Sequence, residues 1–465
     1  MVGIESLSVY IPTYRLDRKE VFDAIGWIGR NFLPGEKAVA NHDEDSITMA
    51  VTAAMECLKG SVDAVFFASI TMPYKERQNA EIIATALDLD SGVVTADFTG
   101  STKAVTTALI SALNYVKAGK AEKVLVCASD CRLGKAGSYQ EIAFGDGAAA
   151  IVVGKDKLAT MDSYYSVSYD FMDNWRTDEE KLPHSWEDRW IREEGYTKFI
   201  AESISGLMER EGLKTEDITK VCYPCVYLRD HPKIALSVGF KLEQIQDPMF
   251  TVLGNTGNAY PLMLLAAALE VSNTGDKIVV ASYGSGSDAI LITSKNKVEF
   301  SRKLRRKKKM SYEKYIAYRN MIPIEKGLRG EEVAPTAISV LWRNRREILA
   351  LVGSKCKECG VPQYPAQRVC VACGSQEMEP YRFADKKGKI FSFTEDHLAF
   401  SMNPPAIYGI IEFEGGGRYW FDITDCEAGE LKVGMPVRMV FRRKDFDERR
   451  GVYNYFWKAA PEVEQ

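Results

Sequence analysis

From residue 1 to about 295 the apolar positions recur with two different periods. Short β-branched runs at 64–68 (AVFFA), 93–96 and 123–128 (KVLVCA) predict buried strands. Between them, residues 47–58, 79–87 and 106–117 bring apolar side chains back every three and four positions, which predicts amphipathic helices. Strands alternating with helices predict a layered α/β architecture. FGDGAAAIVV, starting at Phe144, and YGSGSDAILI, starting at Tyr283, share an order of aromatic, Gly, any residue, Gly, small residues and a β-branched strand. A duplicated α/β fold produces such an echo; so does the general tolerance of Gly for the turns that precede strands.

The pattern changes after residue 295. SRKLRRKKK at 301–309 is a basic run, followed by a Tyr-rich helical pattern to about Ile324 and a Gly-Leu-Arg-Gly loop, which together predict a connector. A short amphipathic helix is expected over 340–350. Beyond about Met378, the runs KIFSFT, IYGIIEF, RYWFDIT, PVRMVFRR and VYNYFWKA alternate with period two between Gly and Asp turns, and predict a small β-barrel.

A chain of 465 residues has room for several domains, and 46% hydrophobic with 27% charged residues excludes wholesale disorder. The net charge of −4 leaves no global electrostatic case for nucleic acid or an anionic membrane. No apolar run has the length of a membrane span and no signal peptide is visible, so a cytoplasmic protein is expected. Ten cysteines are too sparse for a disulfide scaffold, yet four of them form two CxxC pairs.

Cys356-Lys-Glu-Cys359-Gly and Cys370-Val-Ala-Cys373-Gly have the form of two thiolate knuckles, each closed by a Gly that allows the tight turn. Four thiolates satisfy tetrahedral Zn²⁺ and leave no position open for substrate, so a structural zinc is expected. A zinc ribbon beside a basic run, with Tyr453, Tyr455, Phe456 and Trp457 as stacking rings, could instead serve single-stranded nucleic acid. Glu412, Glu414, Asp422, Asp425 and Glu427 in the barrel segment argue against that, and no nucleic acid partner is expected.

The opening GIESLSVYIPTYRLDRKEV, the segment YDFMDNWRTDEEKLPHSWEDRW, the loop GNTGNAYPLMLLAAALE and SYGSGSDAILI resemble the hydroxymethylglutaryl-CoA synthase branch of the thiolase superfamily, especially its archaeal-type members. The resemblance covers nearly all of residues 1–325. It implies the duplicated five-layer α/β/α/β/α fold, a coenzyme A thioester as substrate, and a dimer. Residues 340–460 resemble the rubredoxin-like zinc-ribbon and OB-fold domain that accompanies thiolases, which implies a role in bridging partners or holding acyl-CoA. The expected divisions are 1–160 and 161–325 for the two thiolase-like halves, 326–377 for the linker helix and ribbon, and 378–465 for the OB-fold barrel.

Members of that family attack a thioester with a cysteine at the start of a buried helix, where the helix N-terminus lowers the thiol pKa. Here the matching position is Thr102, with Ser101 as the neighbouring hydroxyl. The family's catalytic His falls on Pro224, one step from Cys225; His231 follows on the next expected helix and is read as a surface or packing residue. The general-base Glu has no clear counterpart, Glu76 being a loop charge. Asn255 matches the family's thioester-orienting polar group, and Gly145, Gly147, Gly284 and Gly286 match its two glycine loops, read as the floor of a substrate site. Tyr223, Tyr227 and Tyr260 are further candidates for acid/base work.

Three functions follow from this combination. One is carbon–carbon bond formation or cleavage beside a CoA thioester with no covalent acyl intermediate, which needs an oxyanion donor and one proton-moving group. Another is a non-catalytic subunit that joins an active thiolase, as a homodimer or heteromeric complex, and helps hold acyl-CoA. The third is a synthase of the ordinary type using displaced residues such as Cys225.

Overall fold

The computed structural model describes residues 2–25, 33–325 and 336–462. Its backbone contacts define two compact units, one of Met1–Ala40, Ala53–Glu81 and Ser91–Tyr315, the other of Asn41–Thr52, Ile82–Asp90 and Ile316–Gln465.

The first unit is built on a nine-stranded sheet. Its strands are β1 (Val2–Tyr10), β2 (Ala64–Ala68), β3 (Val94–Phe98), β4 (Val124–Asp130), β5 (Gly147–Lys155), β6 (Ala159–Ser168), β7 (Lys220–Cys222), β8 (Lys277–Ala281) and β9 (Gly286–Ser294). Their order is β7-β8-β9-β6-β1-β5-β4-β2-β3. The run β1-β5-β4-β2 pairs antiparallel, antiparallel, parallel. The run β6-β9-β8-β7 repeats that sequence of pairings. The two halves join where Gly3 and Ile4 pair with Thr160 and Ala159. The glycine-loop echo is therefore a real duplication, since β5 and β9 hold equivalent places. The copy is incomplete at its edge: β3 pairs with β2 in the first half, whereas a single bridge between Val221 and Ile245 stands at that place in the second.

Side-chain alternation shows the layers. On β8, Ile278 and Val280 enter one core cluster, Val279 and Ala281 the other; on β9, Ile290 and Ile292 oppose Ala289 and Leu291 in the same way. The first cluster contains α1 (Ala104–Lys117) and α4 (Tyr260–Val271); the second contains α2 (Thr197–Glu211) and α3 (His231–Val238). Tyr260 through Leu269 are all buried, because a helix enclosed between the two halves of the sheet has no polar face to offer. On β1, Ser6 Oγ donates to the Cys57 carbonyl at 2.8 Å. The unit has the α/β/α/β/α fold. The basic run contributes to it: Ser301–Arg305 is helical, and Lys308–Met310 pairs in parallel with Tyr14, Arg15 and Leu16.

In the second unit, β10 (Val352–Cys356), β11 (Pro362–Gln363) and β12 (Met378–Arg382) form an antiparallel sheet. The five expected barrel strands are β13 (Gly388–Asp396), β14 (Ala406–Phe413), β15 (Arg418–Asp422), β16 (Pro436–Asp447) and β17 (Val452–Pro461), in the order β15-β14-β13-β16-β17. A bridge from Ile423 to Ala459 links the end of β15 to β17 and closes the OB-fold barrel. Along β14, Ile407, Gly409, Ile411 and Phe413 turn inward and the alternate residues do not, the period-two pattern of a one-sided core.

The helix expected over 340–350 is two, Ile338–Arg343 and Arg345–Ala350. Asn344 separates them at φ −103°, ψ 17°, in keeping with the weak helix preference of Asn. The Gly-Leu-Arg-Gly loop at 327–330 lies outside the described residues.

The second unit carries a buried ion cluster on the barrel strands β16 and β17. Arg442 is fully buried, with Nη1 bonded to Glu44, Nη2 2.9 Å from Asp425 Oδ2 and Nε 3.4 Å from Asp43 Oδ1. Lys458 adds 3.1 Å to Asp43, and Tyr455 donates to Asp45 at 2.8 Å.

Candidate functional site

The turn that begins α1 carries Ser101 and Thr102. The Ser101 hydroxyl donates to the Gly284 carbonyl at 2.7 Å and the Thr102 hydroxyl donates to the Tyr283 carbonyl at 2.6 Å. Both hydroxyls thus face the loop between β8 and β9, whose backbone must come very close. Gly284 makes this possible: at φ +151°, a Cβ there would stand 2.5 Å from Thr102 Oγ1 and 2.6 Å from Ser101 Oγ. Gly286 is constrained similarly, with φ +118° and the Val167 carbonyl 2.1 Å from a Cβ position. Gly145 lies against the Leu253 carbonyl and Gly147 against Met263.

Asn258 clasps the same turn. Its Oδ1 accepts from the Val105 N–H, one of the helix N-terminal donors that has no partner within the helix, and its Nδ2 donates to the Ser101 carbonyl at 3.3 Å. Asp130, fully buried at the end of β4, holds Asn258 through Oδ2. Its Oδ1 accepts from Ser69 Oγ, the Ile70 N–H and Thr71 Oγ1. On the far side of the turn Lys103 pairs with buried Asp288 at 3.0 Å, and Thr106 donates to Asp288 at 2.7 Å.

Asn255 is buried beside Phe144, with which its backbone forms a bridge. Its Nδ2 donates to the Cys225 carbonyl at 3.3 Å and its Oδ1 accepts from the Gly257 N–H at 3.0 Å. Cys225 is buried, and that burial pushes its thiol well above the ordinary range. The tyrosines nearby are tied to backbone: Tyr139 donates to Val226, Tyr196 to Pro224 and Tyr260 to Pro248. Tyr223 donates to the His231 carbonyl at 2.7 Å and stacks on that ring at 4.4 Å. His231 is 3% exposed, and burial pulls its imidazole down to about 4. Tyr227 stacks on Tyr139 with centroids 5.6 Å apart, its hydroxyl 3.4 Å from Asp188 Oδ1. Glu76 is exposed.

A further group went unread in the sequence. Arg132, just beyond β4, lies over the Phe144 ring with Cζ 3.5 Å from its centroid. Asp130 and Asp173 face it, with Arg176 opposing, and burial lowers the guanidinium to about 10. Asp173 is buried, which raises its carboxyl above the ordinary range. Tyr283 packs beside it, 5% exposed, with its hydroxyl directed at the Asp173 carboxyl. Asn258, Asp173 and Tyr283 all lie in segments that resemblance singles out, but nothing in local spacing distinguishes them there.

The four ribbon cysteines come together as spacing predicts. Their Sγ atoms all lie within 4.8 Å of one another. Each knuckle closes on a left-handed glycine, Gly360 at φ 74° and Gly374 at φ 76°. The Gly360 N–H donates to the Cys356 carbonyl and the Gly374 N–H to the Cys370 carbonyl, both at 3.0 Å. The Cys359 N–H, pointed at Cys356 Sγ, is foremost in holding that thiol at about 6, and the N–H groups of Cys373 and Ala372 lower Cys370 likewise. Those donors favour thiolates at Cys356 and Cys370, while neighbouring sulfurs push Cys359 and Cys373 up; four cysteine sulfurs are the ligand set of a structural zinc. Among the described residues no other cluster of this kind is present.

Comparison with known proteins agrees with both units. Residues 344–379 match the rubredoxin-like zinc ribbon domain of ChsH2, and 381–442 its C-terminal OB-fold domain. Residues 96–168 match 3-oxoacyl-[acyl-carrier-protein] synthase III. The chain is 32% identical over 348 residues to a hydroxymethylglutaryl-CoA synthase of Caldivirga maquilingensis, covering 70% of this chain and 99% of that one. It is 31% identical over 333 residues to the synthase of Thermococcus onnurineus, covering 68% and 94%. A crystal structure of HMG-CoA synthase complexed with CoA aligns with a TM-score of 0.59 at 22% identity, over 68% of this chain and 89% of that one. The 3-oxoacyl synthase III of Pseudomonas aeruginosa PAO1 aligns with a TM-score of 0.58 at 20% identity, over 64% and 99%. No described helix is long and apolar enough to cross a membrane.

Proposed function

Because the chain belongs to the hydroxymethylglutaryl-CoA synthase family of the thiolase superfamily, we propose that it binds an acyl-CoA and makes or breaks a carbon–carbon bond beside the thioester with no acyl group carried on the protein. The observation that carries this reading is the turn at the head of α1. Where family resemblance places a nucleophilic cysteine, Thr102 and Ser101 direct their hydroxyls to the carbonyls of Tyr283 and Gly284. A hydroxyl whose proton is given to a carbonyl has no base to take it, and its pKa lies far above neutrality.

What this chemistry asks of the protein is a fixed set of donors for enolate oxygen and a group that moves one proton. The Asn258 clasp keeps the α1 turn rigid, and Asn255 sits across from it on the loop before α4. Asn255 is our candidate for the thioester oxygen; the glycines at 145, 147, 284 and 286 let backbone approach the acyl group. Tyr227 and Tyr283 both feel the Asp173 charge and serve as proton-moving candidates. Tyr223 is directed to His231 instead, and we give it a packing role.

The test is turnover of β-hydroxyacyl- and β-ketoacyl-CoA esters by the purified chain. Activity that survives Thr102→Ala and Ser101→Ala supports the reading. Activity that needs an added thiolase favours a second reading, a subunit that clamps acyl-CoA for a catalytic partner. That alternative draws on the ribbon and OB-fold unit, which has its own closed core.

A further inference from the structure

The carbon–carbon chemistry proposed above needs a group that takes a proton from carbon, and a phenol that keeps its own proton cannot do so. Burial pushes Tyr227 and Tyr283 well above the ordinary tyrosine range, which fits them to donate and not to accept. The buried carboxylates of the site are engaged: Asp130 accepts from Ser69, Ile70, Thr71 and Asn258, Asp288 pairs with Lys103, and Asp173 accepts from Tyr283. Of the four histidines in the chain, His42 and His397 belong to the second unit and His231 is packed on Tyr223. The fourth is His184.

His184 stands on a hairpin that starts from the site. Asn174–Trp175 pairs antiparallel with His184–Ser185, and the Trp186 N–H donates to the Asp173 carbonyl at 2.9 Å, which carries the ladder one residue further. Residues two apart on a strand share a face, so His184 projects from the side on which Asp173 reaches Tyr283. Arg176 fixes the hairpin to the loop beside Asp130, its Nη2 donating to the Ile70 carbonyl at 2.7 Å. The imidazole stacks on Trp175 with centroids 5.5 Å apart, and its Nε2 is bonded to Glu180. Glu180 is held in turn by the Thr177 N–H and hydroxyl, both at 3.0 Å. These donors, the Thr177 N–H foremost, pull its carboxyl down to about 2. A carboxylate only accepts, so Nε2 carries the proton of the neutral ring and Nδ1 the lone pair. Nδ1 has no partner among the described residues, and the side chain is 39% exposed. We infer that His184 is the general base of the site and that Glu180 is the positioning residue that fixes its tautomer.

In the direction of bond formation, Nδ1 takes a proton from the carbon next to the thioester. The electron pair of that C–H bond becomes the C=C bond of an enolate whose charge rests on the thioester oxygen beside Asn255. That pair then forms the bond to the carbonyl carbon of an aldehyde or ketone, the thioester C=O is restored, and the acceptor's oxygen takes the proton from the imidazolium. The inference rests on the acyl-CoA reading and adds to it the residue that moves the proton.

The experiment is deuterium exchange at the α-carbon of butyryl-CoA in D₂O, followed by NMR with the full chain, alongside calorimetric binding of the same compound. The unaltered chain is expected to bind and to exchange. His184→Gly should slow exchange about 100-fold or more, the scale of one general base, and imidazole added to the buffer should restore part of it. His184→Gln should show the same loss without the rescue and at an unchanged Tm, which keeps the test open should the glycine loosen the hairpin. Glu180→Gln should lower the maximal exchange rate about tenfold while the half-saturating concentration of butyryl-CoA stays the same. Exchange at the unaltered rate in either His184 variant overturns the inference alone. So does a loss that imidazole leaves untouched in His184→Gly, or binding without exchange by the unaltered chain. Failure of the unaltered chain to bind butyryl-CoA overturns the acyl-CoA reading itself.

Discussion

His231 shows how a single buried side chain writes itself into the pH dependence of the fold. It is stacked on Tyr223, and burial holds its imidazole at about 4, below the unfolded value of about 6.5. The folded state therefore binds fewer protons, and the stability that follows is present above pH 6.5 and lost as the pH falls toward 4. At pH 5 the loss amounts to about 2 kcal/mol. His231→Phe should remove about that much of the difference in urea unfolding between pH 7 and pH 5; an unchanged difference would show the imidazole is not buried neutral. The sequence placed this His on a helix as a surface or packing residue, because no carboxylate stood beside it, and the fold buries it. It could not show that Arg132, Asp173 and Tyr283 meet, because they arrive from loops at the ends of different strands. The departures at Thr102 and Pro224 were legible only because resemblance supplied the positions to compare.

At the scale of elements, the glycine loop after β8 and the first turn of α1 form one device. Gly284→Ala would drive a Cβ into Ser101 and Thr102 and strain a φ of +151°. A loss of stability of about 2 kcal/mol or more is expected in denaturant unfolding, with weakened acyl-CoA binding; a neutral variant would show that the two loops do not need to meet so closely. In the barrel, Arg442→Ala would leave Asp43, Glu44 and Asp425 facing one another without water. The expected cost is about 3–5 kcal/mol, measured in the same way, and a cost below about 1 kcal/mol would mean the cluster is solvated. Strand positions were readable from period-two patterns, which depend only on neighbours along the chain. The break at Asn344 was not, since the apolar spacing runs through it.

For the whole molecule, the duplication and the ribbon were legible for different reasons. CxxC pairs put their ligands close in sequence, so the metal unit could be read without knowing anything else about the fold. The duplication left its readable trace at Phe144 and Tyr283, where both copies carry glycines at crowded positions before equivalent strands; at the sheet edge the halves differ, the second having a single bridge where the first has β3. Metal analysis should give one zinc per chain, and Cys356→Ser or chelation should unfold the ribbon, as expected for a metal whose binding energy is folding energy. A chain that keeps its Tm with the metal removed would contradict the structural role.

The central claim is that no acyl group is ever carried at the head of α1. Intact-mass and peptide mass spectrometry during turnover of a β-hydroxyacyl-CoA tests it most directly. The account predicts product formation with no adduct on Thr102, Ser101 or Cys225, and the same rate within a few-fold in the Thr102→Ala chain. An acylated Thr102, Ser101 or Cys225 that forms and decays at the rate of turnover would contradict it.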